Sequence, residues 1–172
     1  MLRNAMFVPQ RARGFTLIEI MVGLGIMAFL LLMAMPNFKV HLIDTKIRVA
    51  AQSYYDGAQL ARSEALRRNQ DVTLTLSGLN RAWAVAQGGN TIYNKSAEAA
   101  EQLSVLASAT SVTFNGLGEA SVANTVEFQP GNDSACIGGN GSQRCLNVLI
   151  STGGQVRMCD PTITDAGDNR KC

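Results

Sequence analysis

Charged residues are scarce in this chain of 172 residues, and histidine is almost absent. Charged residues make up 16% of the sequence, against about 25% in an average soluble protein, so we expect part of the surface to face lipid or protein. The one histidine is His41, and there is no Cys-x-x-Cys, His-x-x-x-His or glycine-rich phosphate-binding motif. These absences argue against an enzyme, and we predict no catalytic residue, cofactor or metal site.

The chain also lacks a domain in which charges of one sign clearly outnumber those of the other. Residues 1–14 contain three arginines and no acid, and the remainder carries 12 bases and 13 acids. This balance excludes a strongly basic nucleic-acid-binding domain. A mean hydropathy of +0.07, with frequent apolar runs, argues against a disordered chain.

One apolar run near the N-terminus is long enough to cross a membrane. Residues 15–35 contain one charged residue, Glu19, and about 20 helical residues span the hydrocarbon core. The arginines precede the run and the next base is Lys39, so we expect a cytoplasmic N-terminus and a periplasmic remainder, with His41 at the membrane boundary. A cleaved signal peptide has a shorter apolar core, and a plain signal anchor leaves the carboxylate of Glu19 unexplained.

The start of this run carries a family resemblance. Arg13-Gly14-Phe15-Thr16-Leu17-Ile18-Glu19 resembles the prepilin processing motif of type IV pilins and type II secretion pseudopilins. The resemblance implies that a prepilin peptidase removes the leader, residues 1–14, by cutting after Gly14, and then methylates the new N-terminus of Phe15. It also implies that Glu19 of one subunit neutralises the Phe15 amine of a neighbour, which offsets the cost of burying the carboxylate in the assembled filament.

The same resemblance implies the partners and the location. Expected partners are the prepilin peptidase, other major and minor pilins contacted through the N-terminal helix, the inner-membrane assembly platform and the lipid bilayer. The chain would be a single-pass protein of the bacterial inner membrane before it enters a pilus or pseudopilus.

Beyond the membrane run, apolar residues recur at intervals of three or four, which is the spacing of one helix face. They are Ile43, Ile47, Ala50, Tyr54, Ala58, Ala61 and Ala65. We predict one helix from Phe15 to about Asn69. Its transmembrane half covers residues 15–36, its amphipathic periplasmic half covers residues 37–70, and Pro36 should kink it.

Residues 71–172 read as a β-rich domain of short strands separated by turns. We predict strands at residues 72–76, 82–86, 111–114, 125–128, 146–151 and 155–159, with Gly153-Gly154 as the last hairpin turn. Residues 87–90 are expected as a loop and residues 96–103 as a helical or irregular excursion. The result is an α+β, type IV pilin-like fold, in which a small, mostly antiparallel sheet packs on residues 43–65 of the long helix.

All four cysteines fall near the C-terminus, at Cys136, Cys145, Cys159 and Cys172. An even number in a glycine- and asparagine-rich region predicts two disulfides in an oxidising compartment. Free or metal-bound thiols are the alternative, but the spacings of zinc sites are absent. Three pairings are possible, and we favour Cys136–Cys145 and Cys159–Cys172 because each closes a short local loop.

The end of the predicted helix narrows the resemblance. Residues 61–70, followed by Val72-Thr73-Leu74, are similar to the join between helix and first strand in the H-type minor pilins and pseudopilins, the GspH/FimT/FimU group. Glu64 with Arg67 and Arg68 is also, more simply, a set of helix ion pairs. The resemblance implies an accessory structural subunit that starts assembly or lies near the filament tip. The alternatives are a type IV pilus and a type II secretion pseudopilus, and the paired cysteines and the lack of an acidic calcium-type loop favour the pilus.

A further alternative is a DNA-binding minor pilin, because some FimT-type members are similar to DNA receptors for natural transformation and carry Gly-Arg-x-Arg. Here the matching residues are Gly154-Gln155-Val156-Arg157, so one arginine is missing. Arg144, Arg170 and Lys171 complete the set of candidate DNA-binding residues, but nearby aspartates nearly cancel them. We therefore predict weak, salt-dependent DNA binding at most; otherwise these are solvated loop charges.

Overall fold

The structure, a computed structural model, describes residues 14–77, 82–97, 103–131, 136–137, 141 and 143–172, without the side chains of residues 34–37. The chain forms two compact units, Met1–Phe38 and Lys39–Cys172. Helix α1, Leu17–Arg68, begins in the first unit and continues into the second.

Both ends of α1 have a local cause. The helix begins after Thr16, whose hydroxyl accepts a hydrogen bond of 3.3 Å from the backbone N–H of Glu19, as an N-cap residue does. It ends before Asn69, which has φ of 49°; asparagine is one of the residues that tolerate this left-handed position at a helix end. The backbone is helical through Pro36, and the kink predicted there stays a prediction.

The described part of the second unit contains eight strands in two antiparallel sheets. The strands are β1 Val72–Ser77, β2 Ala82–Gln87, β3 Asn90–Lys95, β4 Leu103–Ala107, β5 Ser111–Phe114, β6 Asn124–Pro130, β7 Leu146–Ile150 and β8 Val156–Cys159. Sheet A has the order β3-β2-β1-β5, and sheet B has the order β4-β6-β7-β8.

The α+β fold is confirmed, whereas the expectation of a single six-stranded sheet is wrong. The sequence prediction missed β3, which replaces the end of the expected loop at residues 87–90. Gly88 and Gly89 both have positive φ and turn β2 directly into β3, as a two-residue hairpin turn does. The sequence prediction also missed β4, which begins at Leu103, the last residue of the segment expected to be helical or irregular. Residues 98–102 of that segment lie outside the described residues.

Helix α1 forms one core with both sheets. Its buried residues are Ile47, Ala51, Tyr54, Ala58, Ala61 and Ala65, and they belong to one cluster with Leu74 and Phe114 of sheet A and Val126 and Phe128 of sheet B. Compared with the predicted face, Ala51 is buried where Ala50 was expected. Four alanines let the strands approach the helix closely, so the core has room for few large helix side chains.

Single aromatic contacts tie the helix to each sheet. On the sheet A side, Trp83 lies over Gly57, where an added Cβ would come within 2.9 Å of the indole ring, and its Nε1 donates to Ser53 Oγ at 3.2 Å. On the sheet B side, the Tyr54 and Phe128 rings lie 6.2 Å apart. Each contact fixes the helix against a different sheet.

The β7–β8 turn closes the domain at the far end of the helix. As expected, Gly153 and Gly154 lie in this turn, and Gly154 has φ of 74°. A Cβ on Gly154 would overlap the carbonyl oxygen of Gly118. Arg62 Nε of α1 donates to the same oxygen at 3.1 Å. Helix, β5–β6 loop and β7–β8 turn therefore meet at one carbonyl group.

Candidate functional site

The predicted processing motif lies where the helix starts. Gly14 precedes α1, and an added Cβ would meet no atom within 4 Å. Neither packing nor a left-handed backbone conformation requires glycine at this position. Phe15 follows with 79% of its surface exposed. The described part of the chain therefore gives Gly14 no packing role and leaves Phe15 exposed, and the processing site stays a prediction.

Glu19 lies in the first turn of α1, three residues after Thr16. This spacing matches a capping box, and a carboxylate near a helix N-terminus also interacts favourably with the helix dipole. A purely structural role therefore exists for Glu19. Its carboxylate is nevertheless exposed and has no hydrogen-bond or ion-pair partner among the described residues, so it is free to meet a cation from another chain.

The apolar side chains that follow find no protein to pack against in the described structure. The large apolar residues between Phe15 and Met33 are each 50% exposed or more. Among the described residues no single helix is long and apolar enough to cross a membrane, whereas Leu17–Met33 and Phe38–Arg68 reach that length and composition when they are taken together. This exposed hydrophobic helix fits a membrane-anchored pilin.

Two disulfide bonds hold the C-terminal part, and they are the two local pairings favoured from the sequence. Cys136 is bonded to Cys145 across a separation of 9 residues, and Cys159 is bonded to Cys172 across 13 residues. Cys145 and Cys159 are buried beside β7 and at the end of β8. The first bond encloses the glycine-rich loop, of which residues 138–140 lie outside the described residues.

The four candidate DNA-binding residues do not form one basic surface. Arg144 and Arg170 line the same cleft, of about 600 Å³, together with residues of α1. Arg157 Nη2 donates to the carbonyl oxygen of Cys172 at 3.4 Å, and Lys171 Nζ donates to that of Thr164 at 3.1 Å. Two of the four are therefore engaged by backbone carbonyl groups and do not line this cleft.

Arg170 is also neutralised by a neighbour. Its Nη2 lies 2.6 Å from Asp168 Oδ2, and its Nε donates to Oδ1 at 3.0 Å. The hydrogen bonds from Arg170 lower the pKa of Asp168 to about 2. The cleft has a third arginine, Arg48 of α1, which sequence reasoning missed because nothing in the sequence shows that residues 48 and 144 lie together.

The segment that narrowed the family resemblance has a structural role of its own. Glu64 accepts from Arg67 at 2.6 Å and from Arg68 at 2.7 Å, so the expected helix ion pairs are present. These hydrogen bonds, from Arg67 first and then Arg68, lower the pKa of the Glu64 carboxyl. Arg68 also donates to Gln87 Oε1 at 2.7 Å and ties the helix end to β2.

Comparisons with known families agree with this geometry. The family described as "Type II transport protein GspH" matches residues 50–162, which is more than half of the chain. The "Prokaryotic N-terminal methylation motif" matches residues 9–35.

The chain belongs to the GspH family. Its fold is similar to that of the type IV minor pilin FimU of Pseudomonas aeruginosa (16% identity, 69% of this chain and 90% of that chain, TM-score 0.55). It is also similar to that of the minor pseudopilin EpsH of Vibrio cholerae (18% identity, 66% and 96%, TM-score 0.51). At these identities the likeness shows the fold. No curated protein sequence matches the chain.

A GspH domain behind a methylation motif, in a fold shared with FimU and EpsH, makes this chain a minor pilin or pseudopilin. The family and these neighbours are structural subunits, not enzymes. The methylation motif implies processing by a prepilin peptidase and assembly with pilins or pseudopilins.

Proposed function

We propose that this GspH-family chain is a minor pilin that helps to start a type IV pilus or lies near its tip. The observation that carries the proposal is the exposed apolar helix. A methylation motif opens it, its large side chains pack on nothing in the described structure, and a GspH domain follows directly. A segment of this kind is stable in lipid before assembly and among the helices of other subunits afterwards.

Before assembly the subunit is a single-pass protein of the inner membrane, with its N-terminus in the cytoplasm and Lys39–Cys172 in the periplasm. The arginines of the leader support this orientation. The two disulfides support it as well, since the bacterial periplasm is an oxidising compartment. The prepilin peptidase cuts after Gly14 and methylates the amine of Phe15.

Glu19 then controls entry into the filament. A carboxylate within a membrane costs about 2.5–3.5 kcal/mol at the helix centre and less near an end. Residues 15–33 contain no Lys, Arg or His, so the cation available at a similar depth is the Phe15 amine that processing creates. A neighbour's amine, once the subunits are stacked, gives the carboxylate a partner and favours the assembled state.

Intact mass measurement of membrane-extracted protein tests the processing step. We expect the loss of residues 1–14 and the gain of one methyl group, so that the mature chain begins at Phe15. A chain that begins after residue 36 instead would show cleavage of an ordinary signal peptide and would refute the pilin assignment.

Two variants of Glu19 test the assembly step. Glu19→Gln keeps a side chain suited to a capping box but removes the charge, and Glu19→Ala removes both. We expect both to insert into the membrane at least as well as the wild type and to be depleted from sheared filaments relative to membranes. Normal incorporation of Glu19→Gln, with loss confined to Glu19→Ala, would show that helix capping and not charge pairing is the role of Glu19.

The second candidate is a type II secretion pseudopilin, which the family description and the fold of EpsH favour. Deleting the gene separates the two. Loss of surface pili with normal protein secretion supports the pilus, and loss of secretion with normal pili supports the pseudopilus.

A further inference from the structure

The cleft that holds Arg144 and Arg170 lies outside the processing motif and the exposed apolar run. One wall is a single face of α1, which presents His41, Asp44 and Arg48 at spacings of three and four residues. The opposite wall comes from β7, β8 and the C-terminal tail, which the Cys159–Cys172 bond holds. The cleft encloses about 600 Å³, enough for a small polar group.

Each carboxylate at this cleft already accepts at least one hydrogen bond. Asp44 Oδ1 accepts the backbone N–H of Arg144 at 2.8 Å. Asp160 Oδ1 accepts the backbone N–H of Thr162 at 2.9 Å and its hydroxyl at 2.5 Å. Asp168 accepts both the Nε and the Nη2 of Arg170. The acidic side chains thus hold the backbone and Arg170 in place.

The donors are not engaged. The guanidinium groups of Arg48 and Arg144 and the imidazole of His41 make no hydrogen bond or ion pair within the described part of the chain. These three unpaired donors line the cleft together with Arg170, whose guanidinium is already held by Asp168. Guanidinium groups bind phosphate oxygens in a bidentate way, so the complementary ligand is a phosphate group.

We propose that this cleft binds the phosphate of an anionic phospholipid in the periplasmic leaflet while the subunit waits in the membrane. The inference rests on the membrane topology proposed above. His41 follows Met33 by only eight residues, so the helix face that lines the cleft begins close along the chain to the end of the apolar run. Long arginine side chains extend toward a layer of lipid headgroups while their stems stay on the protein.

A duplex of DNA fits the same residues less well. Non-specific DNA binding needs several cations that follow the phosphate backbone. The cations that would extend the cleft, Arg157 and Lys171, are bonded to the carbonyl groups of Cys172 and Thr164. Within the described residues the geometry therefore suits one phosphate and not a row of them.

Lipid binding to the full chain tests the proposal. The protein, purified in neutral detergent, is titrated with phosphatidylglycerol and, separately, with phosphatidylcholine, and bound lipid is counted by native mass spectrometry. The cleft variant is Arg48→Gln with Arg144→Gln. The control is Arg67→Gln with Arg157→Gln, which likewise removes one exposed arginine from α1 and one from the β domain.

We expect the wild type and the control to prefer phosphatidylglycerol, and the cleft variant to bind it more weakly by roughly tenfold or more. Arg48→Lys with Arg144→Lys should restore part of the affinity, because the charge is kept. Thermal unfolding should confirm that all variants are folded, since both arginine side chains are exposed.

Equal losses in the cleft and control variants would overturn the proposal, because general charge would then explain the binding. A cleft variant that loses affinity for a DNA duplex while keeping its affinity for phosphatidylglycerol would also overturn it, in favour of nucleic acid. Lipid binding is measured apart from processing and filament incorporation. If the cleft variant binds phosphatidylglycerol as well as the control does while maturation at Phe15 is normal, this inference alone is refuted. Failed maturation at Phe15 refutes the proposed function.

Discussion

Replacing Gly154 by alanine should destabilise the unit Lys39–Cys172 more than the addition of one methyl group suggests. Gly154 has φ of 74°, and a Cβ at this position would lie 1.8 Å from the carbonyl oxygen of Gly118, which also accepts the hydrogen bond from Arg62. An alanine at this position must therefore leave the left-handed region or push two loops apart. In either case the junction of helix, β5–β6 loop and β7–β8 turn opens.

The magnitude follows from three separate costs. The left-handed conformation costs a residue with a Cβ about 1–2 kcal/mol. Forcing a methyl group into a filled space costs about 1–3 kcal/mol, and a lost hydrogen bond to a charged group about 1.5–3 kcal/mol. Because relaxation that relieves the overlap also weakens the hydrogen bond, these costs are not fully additive. We expect a loss of about 3–5 kcal/mol, a large part of a typical total stability.

Gly153→Ala is the matched control, because the nearest atom to its Cβ position is Ser151 Oγ at 3.9 Å and its φ is not left-handed. Thermal unfolding of the full chain in detergent, followed by circular dichroism and by the fluorescence of Trp83, measures both variants. Gly154→Ala should lower the midpoint by roughly 10–20 °C and Gly153→Ala should scarcely change it. Equal midpoints for the two variants would refute the argument from Cβ overlap.

Three further predictions concern the same unit. Cys159→Ser with Cys172→Ser should lower the free energy of unfolding by about 3 kcal/mol, since it opens a loop of 13 residues, as denaturant titration will show. Burial raises the pKa of Tyr54 to about 12. The protonated side chain therefore contributes fully to the free energy of unfolding below about pH 10, and this contribution is lost as the pH rises toward 12. Tyr54→Phe should flatten this fall in stability. The wild type should bind duplex DNA with a dissociation constant weaker than about 10⁻⁵ M at physiological salt, measured by fluorescence anisotropy.

Each of these has a contrary outcome. Unchanged stability of the serine variant would mean that the tail is held without its disulfide. An identical alkaline fall in Tyr54→Phe would assign the pH dependence to other groups. Tight DNA binding that Arg157→Gln abolishes would identify the C-terminal loops as a DNA receptor site.

The long helix and most strands could be predicted because their patterns are local. The buried face of α1 shows in the spacing of Ile47, Tyr54 and the alanines, and β5 was predicted with the observed bounds. Strand β3 was not predictable in this way. It is an exposed edge strand with one half-buried apolar residue, Ile92, so its alternation is weak and pairing with β2 decides its conformation.

The division into two sheets was hidden for a different reason. Strand β1 pairs with β5 across 33 intervening residues, whereas β4, which comes between them in the chain, pairs with β6. Nothing in the sequence of a strand shows which neighbour it will choose. Among the candidate functional residues, Gly14, Phe15 and Glu19 were predicted from one contiguous motif. The cleft around Arg48 and Arg144 depends on a contact between residues almost a hundred positions apart, which only the folded chain shows.

This order of strands has a mechanical consequence for the unit Lys39–Cys172. Along the chain, β1 to β3 belong to sheet A, β4 belongs to sheet B, β5 belongs to sheet A, and β6 to β8 belong to sheet B. The two sheets are therefore interlaced along the chain and share α1 in one core. Tension on the helix cannot peel one sheet away while the other stays intact. We expect both sheets to unfold together in a single step, so that at lower forces the whole unit stays folded and moves as one rigid body.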